Sequence, residues 1–187
     1  MPLQAGRLRH RVDIQSSTVV ANSYGEEETT WVTDSVVWAS VESLMGKEYM
    51  DGNTVLADIS HKVFVRYKSA KNLSSQQRLL TPKERGKLGA AVATTDGTSI
   101  VVDSATDITD AGDFIIRIGS EDMIVTAGQG TTTWTVTRGA FGTTAATHSD
   151  EAAITKLVAM EIKAILNKDE RNEYFRLDCI ESTSQIQ

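Results

Sequence analysis

The residue types that could do chemistry in this chain are few and scattered. Histidine occurs at His10, His61 and His148. None stands at metal-ligand spacing from another histidine, a cysteine or an acidic pair, as His-Glu-x-x-His would require. Each reads as a solvated or hydrogen-bonded imidazole. The single cysteine, Cys179, cannot form an internal disulfide. It sits in an alternating apolar run, the setting of a buried structural thiol and not of a nucleophile. Asp103, Asp107, Asp110 and Asp113 could offer hard oxygen ligands to calcium. Their spacing lacks the glycine and terminal glutamate of a calcium loop, so a solvated acidic face fits better. Arg85-Gly86-Lys87-Leu88-Gly89 contains glycine but not the strand–loop–helix context that cradles phosphate, and reads as a linker. No Gly-x-Ser-x-Gly elbow occurs. The expectation is a non-enzyme with no catalytic residue, no metal site and no cofactor.

Charge and composition narrow the class further. The formal net charge is −6 over 187 residues, and it is unevenly spread. Residues 1–86 carry 11 Lys+Arg against 10 Asp+Glu, residues 87–156 carry 4 against 9, and residues 157–187 carry 4 against 6. A near-neutral outer part and an acidic middle argue against a general nucleic-acid binder, whose affinity comes from a basic face. The one cationic cluster is Arg7, Arg9 and Arg11 around His10. It reads as a terminal arm, either solvated, or docked on an acidic neighbouring subunit or facing DNA. No apolar run approaches the ~18 residues of a membrane span. The start of the chain lacks the apolar stretch of a secretory signal, so synthesis in a reducing cytoplasm is expected.

The elements that must position these residues are strands. His10–Gln15 alternates, with Val12 and Ile14 on one face. Residues 16–28 are polar around Tyr24-Gly25 and read as a long turn. Residues 29–44 form a β segment with Trp31 and Trp38, interrupted at Thr33-Asp34-Ser35 by a bulge or tight turn. Residues 45–57 are broken by Gly46 and Gly52 and read as a mobile connection with one helical turn. His61–Tyr67 alternates again. Pro82-Lys83-Glu84-Arg85-Gly86 reads as a boundary. No lysine lies between Lys87 and Lys156, and short β-branched runs with frequent glycine fill that stretch. Residues 98–103, 114–118, 123–126 and 133–137 are expected as short strands. After Leu157, alternation returns through Met160, Ile162 and Ala164, then through Phe175, Leu177 and Cys179, as a hairpin with one apolar face. The expectation is an all-β chain. Residues 1–86 and 157–187 form a discontinuous small β-barrel, and residues 87–156 form an inserted β-barrel or sandwich.

The outer segments also carry a recognisable series. Gly6-Arg7-Leu8-Arg9-His10-Arg11-Val12 is followed by Tyr24-Gly25, Thr30-Trp31-Val32 and Val37-Trp38-Ala39-Ser40-Val41-Glu42. Then come Gly46-Lys47-Glu48-Tyr49, His61-Lys62-Val63-Phe64-Val65-Arg66-Tyr67, Asp169-Glu170-Arg171-Asn172 and Leu177-Asp178-Cys179. This series resembles the head–tail joining (head-closure or stopper) proteins of tailed bacteriophages. The resemblance implies a virion protein of the neck, a homo-oligomeric ring of twelve between the portal or adaptor ring and the tail tube or tail-terminator protein. DNA would pass through its lumen without sequence recognition. The resemblance also implies that the connection Gly46, Lys47, Glu48, Tyr49, Met50, Asp51, Gly52, Asn53 reaches the channel. Arg7, Arg9, Arg11, Trp31 and Trp38 are the candidate subunit or partner contacts. The middle segment departs from the family and would decorate the ring or add contacts to the tail or capsid. Two other readings stay open: a tail-completion or terminator ring, and a surface- or carbohydrate-binding module.

Overall fold

The structure, a computed structural model, describes residues 5–21, 24–44, 49–51, 54–56, 59–167 and 170–182. Its regular structure is antiparallel β-sheet with short 3-10 turns, among them Ala5–Arg7, Tyr67–Ser69 and Ala140–Gly142. The strands are β1 (His10–Ala21), β2 (Glu27–Ser43), β3 (Tyr49–Asp51), β4 (Thr54–Leu56), β5 (His61–Arg66) and β6 (Arg78–Lys87), then β7 (Ser99–Val101), β8 (Phe114–Ile118), β9 (Glu121–Ala127), β10 (Thr133–Thr137), β11 (Ala153–Asn167) and β12 (Tyr174–Glu181). No helix among the described residues is long and apolar enough to cross a membrane. The chain divides into two compact units. The described residues of 5–17, 33–81 and 159–182 form the outer unit, and those of 18–32 and 82–158 form the middle unit.

In the outer unit the strand order is β12-β5-β2-β1-β6, and β11 neighbours both β6 and β12. The order therefore returns to its start, the connectivity of a closed barrel, which leaves no edge to pair with other chains. The closing hairpin pairs through Ile162↔Cys179 and Ile165↔Leu177, and β12 pairs β5 through Leu177↔Val63. The alternation explains the core. Val12, Val37, Ala39, Val63, Val65, Leu79, Leu177 and Cys179 all point inward and are buried. Each fully buried aliphatic side chain contributes about 1.5–3 kcal/mol.

The other face of β1 is less simple than alternation implies. Asp13 and Gln15 are buried as deeply as Val12 and Ile14. The Gln15 amide donates to Thr33 Oγ1 at 3.0 Å and its carbonyl accepts from Arg78 Nε at 2.9 Å. A polar side chain can be buried there because its hydrogen bonds are made within the unit. Burial pushes the Arg78 guanidinium down to about 10.

In the middle unit β8 pairs with residues 154–157 of β11, and β9, β10 and β7 follow in order. Its core centres on Trp134 and Phe114, whose rings meet edge to face at 5.3 Å. Trp134 Nε1 donates to Thr131 O at 3.0 Å, so the buried indole N–H is satisfied. Glycine supplies left-handed backbone at several of its turns, among them Gly128 (φ 86°) and the pair Gly139 (φ 61°) and Gly142 (φ 81°).

Several expected elements differ. Residues 16–28 are not simply a long turn: β1 runs on to Ala21 and β2 starts at Glu27, with Thr18 and Thr30 hydroxyls 2.9 Å apart across the ladder. Thr33-Asp34-Ser35 lies inside the continuous β2, so no tight turn separates two short strands there. Pro82–Gly86 is strand, the second half of β6, although the chain does pass from the outer to the middle unit at Pro82, and Leu88 is a core residue bridged to Val102, not linker. The described residues of 45–57 are strands, paired Tyr49↔Leu56, Met50↔Val55 and Asp51↔Thr54, where a helical turn was expected.

Candidate interaction surface

The expected contact residues fall into a cluster and some outliers. On β2, Val37 and Ala39 point into the outer core, so Trp38 points out, and it is 55% exposed. The Arg11 guanidinium lies 5.7 Å from its ring centroid. Such a cation–π contact is worth about 0.5–1 kcal/mol at an exposed site. It also holds a large apolar ring in one orientation at the surface. An open groove of about 470 Å³ runs beside it, lined by Leu8, Ser35, Val36, Val37, Trp38, Arg66 and Ser69. Arg7 donates from Nη2 to Glu42 Oε1 at 2.6 Å, an exposed pair of small energetic value. Arg9 Nε donates to Gly6 O at 3.0 Å and fixes the turn that enters β1. Trp31 is half-buried in the middle unit's part of β2 and does not line the groove. Of the channel candidates, Tyr49, Met50 and Asp51 form β3. Gly46, Lys47, Glu48, Gly52 and Asn53 lie outside the described residues.

The groups that could have done chemistry are otherwise engaged. The His61 ring Nδ1 is 2.8 Å from Ser60 Oγ, and His148 Nε2 is 2.8 Å from Glu121 Oε2. Burial, with the Asp178 charge beside it, pushes the Cys179 thiol up to about 12, so no thiolate forms near neutrality. Asp110 accepts from Lys156 at 3.1 Å. No group of three or more His, Cys, Asp and Glu among the described residues could hold a metal.

One buried ionic cluster was not anticipated. Glu121 is fully buried and receives a two-pronged contact from Arg138, Nε at 2.6 Å and Nη2 at 2.8 Å. Its oxygens also accept from the Gly139 and Ala146 N–H groups. Arg138 turns its remaining donors onto the carbonyls of Thr94, Gly97 and Ala146. Burial opposes ionisation of Glu121, but Arg138, the two N–H groups and His148 outweigh it and hold the carboxyl at about 2. The cluster ties the segment after β10 to the start of β9. Its role is to staple a loop, since every donor points at protein.

Comparison with known proteins places this surface in a context. The family described as phage head completion protein matches residues 3–88, which include Arg11, Trp38 and the groove. The chain is 28% identical over 104 residues to the head completion protein gp7 of Enterobacteria phage HK97, covering 54% of this chain and 93% of that protein. That protein's length is thus almost wholly accounted for, while nearly half of this chain lies beyond the match. Residues 3–88 are thus similar to the phage head completion proteins, and the two matches together support a head–tail joining family of tailed bacteriophages.

Proposed function

We propose that this chain is the ring subunit of the phage neck, seated between the portal or its adaptor and the tail, where it closes the DNA-filled head and docks the tail. The likeness to head completion proteins supports a structural head-completion role and a place in the virion. The match over residues 3–88 carries the proposal. The closed circuit of β12, β5, β2, β1, β6 and β11 and the exposed Trp38 support it, because a ring subunit presents side chains more readily than open β-edges to its neighbours. Electron microscopy of the chain bound to DNA-filled, tail-less heads tests it. A single ring at the portal vertex, twelvefold in the simplest case, is expected. A sixfold ring on isolated tails and none on heads would instead indicate a tail terminator.

Two finer readings belong to the same proposal. The β3–β4 ladder reaches the lumen and retains DNA; deleting residues 47–53 should leave rings that form but leak DNA, and normal retention refutes it. The middle segment is an insertion into the head-completion unit. The chain leaves β6 at Leu88 and approaches β11 at Ala152, and Leu88 N donates to Ala152 O at 3.0 Å. Replacing residues 89–151 by a short turn should therefore give a folded chain that still binds heads. An unfolded product refutes the insertion.

A further inference from the structure

The end of the β1–β2 hairpin is poorly covered for an element of its composition. Residues 17–21 of β1 are all exposed. Successive residues of a strand face opposite sides. Val19 and Val20 are 62% and 53% exposed, so both faces of the ribbon meet solvent at that point. Beyond them Tyr24 is 90% exposed, and Glu26 and Glu27 give the tip two exposed carboxylates. An isolated two-stranded ribbon is marginal in water. Two adjacent valines and a tyrosine on such a ribbon form the kind of apolar projection that a partner covers.

The Trp38 groove has the complementary character. Its apolar lining is Leu8, Val36, Val37 and Trp38, and its cations are Arg66 in the wall and Arg11 over the indole. Lys68, exposed, neighbours the lining residue Ser69. A volume of about 470 Å³ lies within the ~300–1,000 Å³ of built recognition sites. Tryptophan, tyrosine and arginine are also the residues that concentrate binding energy at interfaces. The charges are opposite in sign: an acidic tip and a cationic wall. Every copy of the chain carries both surfaces.

We infer that the β1–β2 hairpin of one copy docks into the Trp38 groove of a second copy, with Val19, Val20 and Tyr24 against the groove and Glu26 and Glu27 toward Arg66 and Lys68. The inference rests on the ring reading and supplies its contact. The contact is head-to-tail, since different surfaces meet, and repeated head-to-tail contacts close into rings when the rotation permits.

Mixing experiments with the full chain test it, both in solution and on DNA-filled, tail-less heads. Val19→Asp with Val20→Asp removes the hairpin surface, and Trp38→Glu removes the groove surface. All three positions are more than half exposed, so circular dichroism should match the parent. Each variant alone should self-associate at least tenfold more weakly than the parent. An equimolar mixture retains one intact contact and should yield dimers that go no further. As a second readout, Val20→Cys copies should cross-link to Ser69→Cys copies and not to one another; Cys179 is buried and does not compete. Self-association unchanged in both variants, or cross-links confined to like pairs, overturns the hairpin–groove contact while leaving the neck assignment intact. A parent chain that neither self-associates nor binds heads would instead remove the neck assignment itself.

Discussion

Glu121→Gln is the most informative single change in the middle unit. The substitution keeps the side chain's shape and removes its charge, leaving Arg138 buried without a counter-charge. From an ordinary 4.5 the Glu121 carboxyl is carried down to about 2, which corresponds to about 3 kcal/mol of folding free energy at neutral pH. Breaking a buried ion pair from one side costs about 3–5 kcal/mol, a consistent magnitude. The sign fixes the pH window. A carboxyl whose folded value is depressed stabilises fully above its unfolded value, and that stability is lost as pH falls from about 4.5 toward 2. Urea unfolding followed by the fluorescence of buried Trp134 should therefore show Glu121→Gln less stable by about 3 kcal/mol at pH 7. The gap should narrow steadily below pH 4.5. The groups facing the carboxylate are Arg138, His148 and the Gly139 and Ala146 N–H groups. His148→Ala, measured alongside, separates the imidazole's share from that of Arg138. A gap of the same size at pH 7 and pH 3 would refute the electrostatic account and leave only a packing effect.

Three further outcomes are expected. Gly128→Ala should lower the melting temperature, because Gly128 has φ 86° and a Cβ there would overlap the Thr133 carbonyl oxygen; a cost above about 1 kcal/mol is expected, and an unchanged Tm would show that the β9–β10 turn adopts another form. Leu79→Ala, at a fully buried position in the outer core, should cost about 2–5 kcal/mol in denaturant unfolding, and less than about 1 kcal/mol would mean that core is loosely packed. Cys179 should resist a thiol reagent at pH 8 in the native chain and react at once in denaturant, since burial holds the thiol near 12; rapid native labelling would show that the closing hairpin opens.

The parts legible in the sequence are those where alternation is apolar. β5, β8, β10 and the β11–β12 hairpin each place valine, isoleucine, leucine or phenylalanine on one face, and period-2 reading finds them. β6 escaped because its second half alternates without apolar side chains. Pro82, Glu84 and Gly86 are the half-buried members, and Lys83, Arg85 and Lys87 the exposed ones. Glu84 serves as an inward residue by accepting from Thr109 N at 3.1 Å, a contact invisible along the chain. The hairpin end escaped for the opposite reason: exposed on both faces, it has no hydrophobic period to detect. Arg11 and Trp38 were picked out singly as contact residues. Their stacking depends on the placement of neighbouring strands, which composition does not encode. The Glu121 cluster joins residues 17 to 27 positions apart and has no local pattern at all.

Both units turn charged side chains inward, as Arg176 does on Asp178 at 3.1 Å in the outer unit, and the outer unit also sets cations beside an open groove. In the middle unit the charged side chains near the core are turned inward: Arg138 on Glu121, Arg117 on Asp122 at 2.6 Å, Lys156 on Asp110. Such pairing fixes loops and consumes hydrogen-bonding capacity within the unit. In the outer unit, Arg11 and Arg66 flank an exposed tryptophan and an open groove. Burying an indole and neutralising two guanidiniums on a partner would release water from apolar surface while keeping the cations paired, the combination that gives an interface both affinity and orientation. The match to head completion proteins covers residues 3–88 and so includes this groove, whereas the internally paired clusters lie beyond it. On the proposed ring reading, the assembly contacts are expected in the groove and the β1–β2 hairpin, and the middle unit's ionic clusters are expected to act in folding.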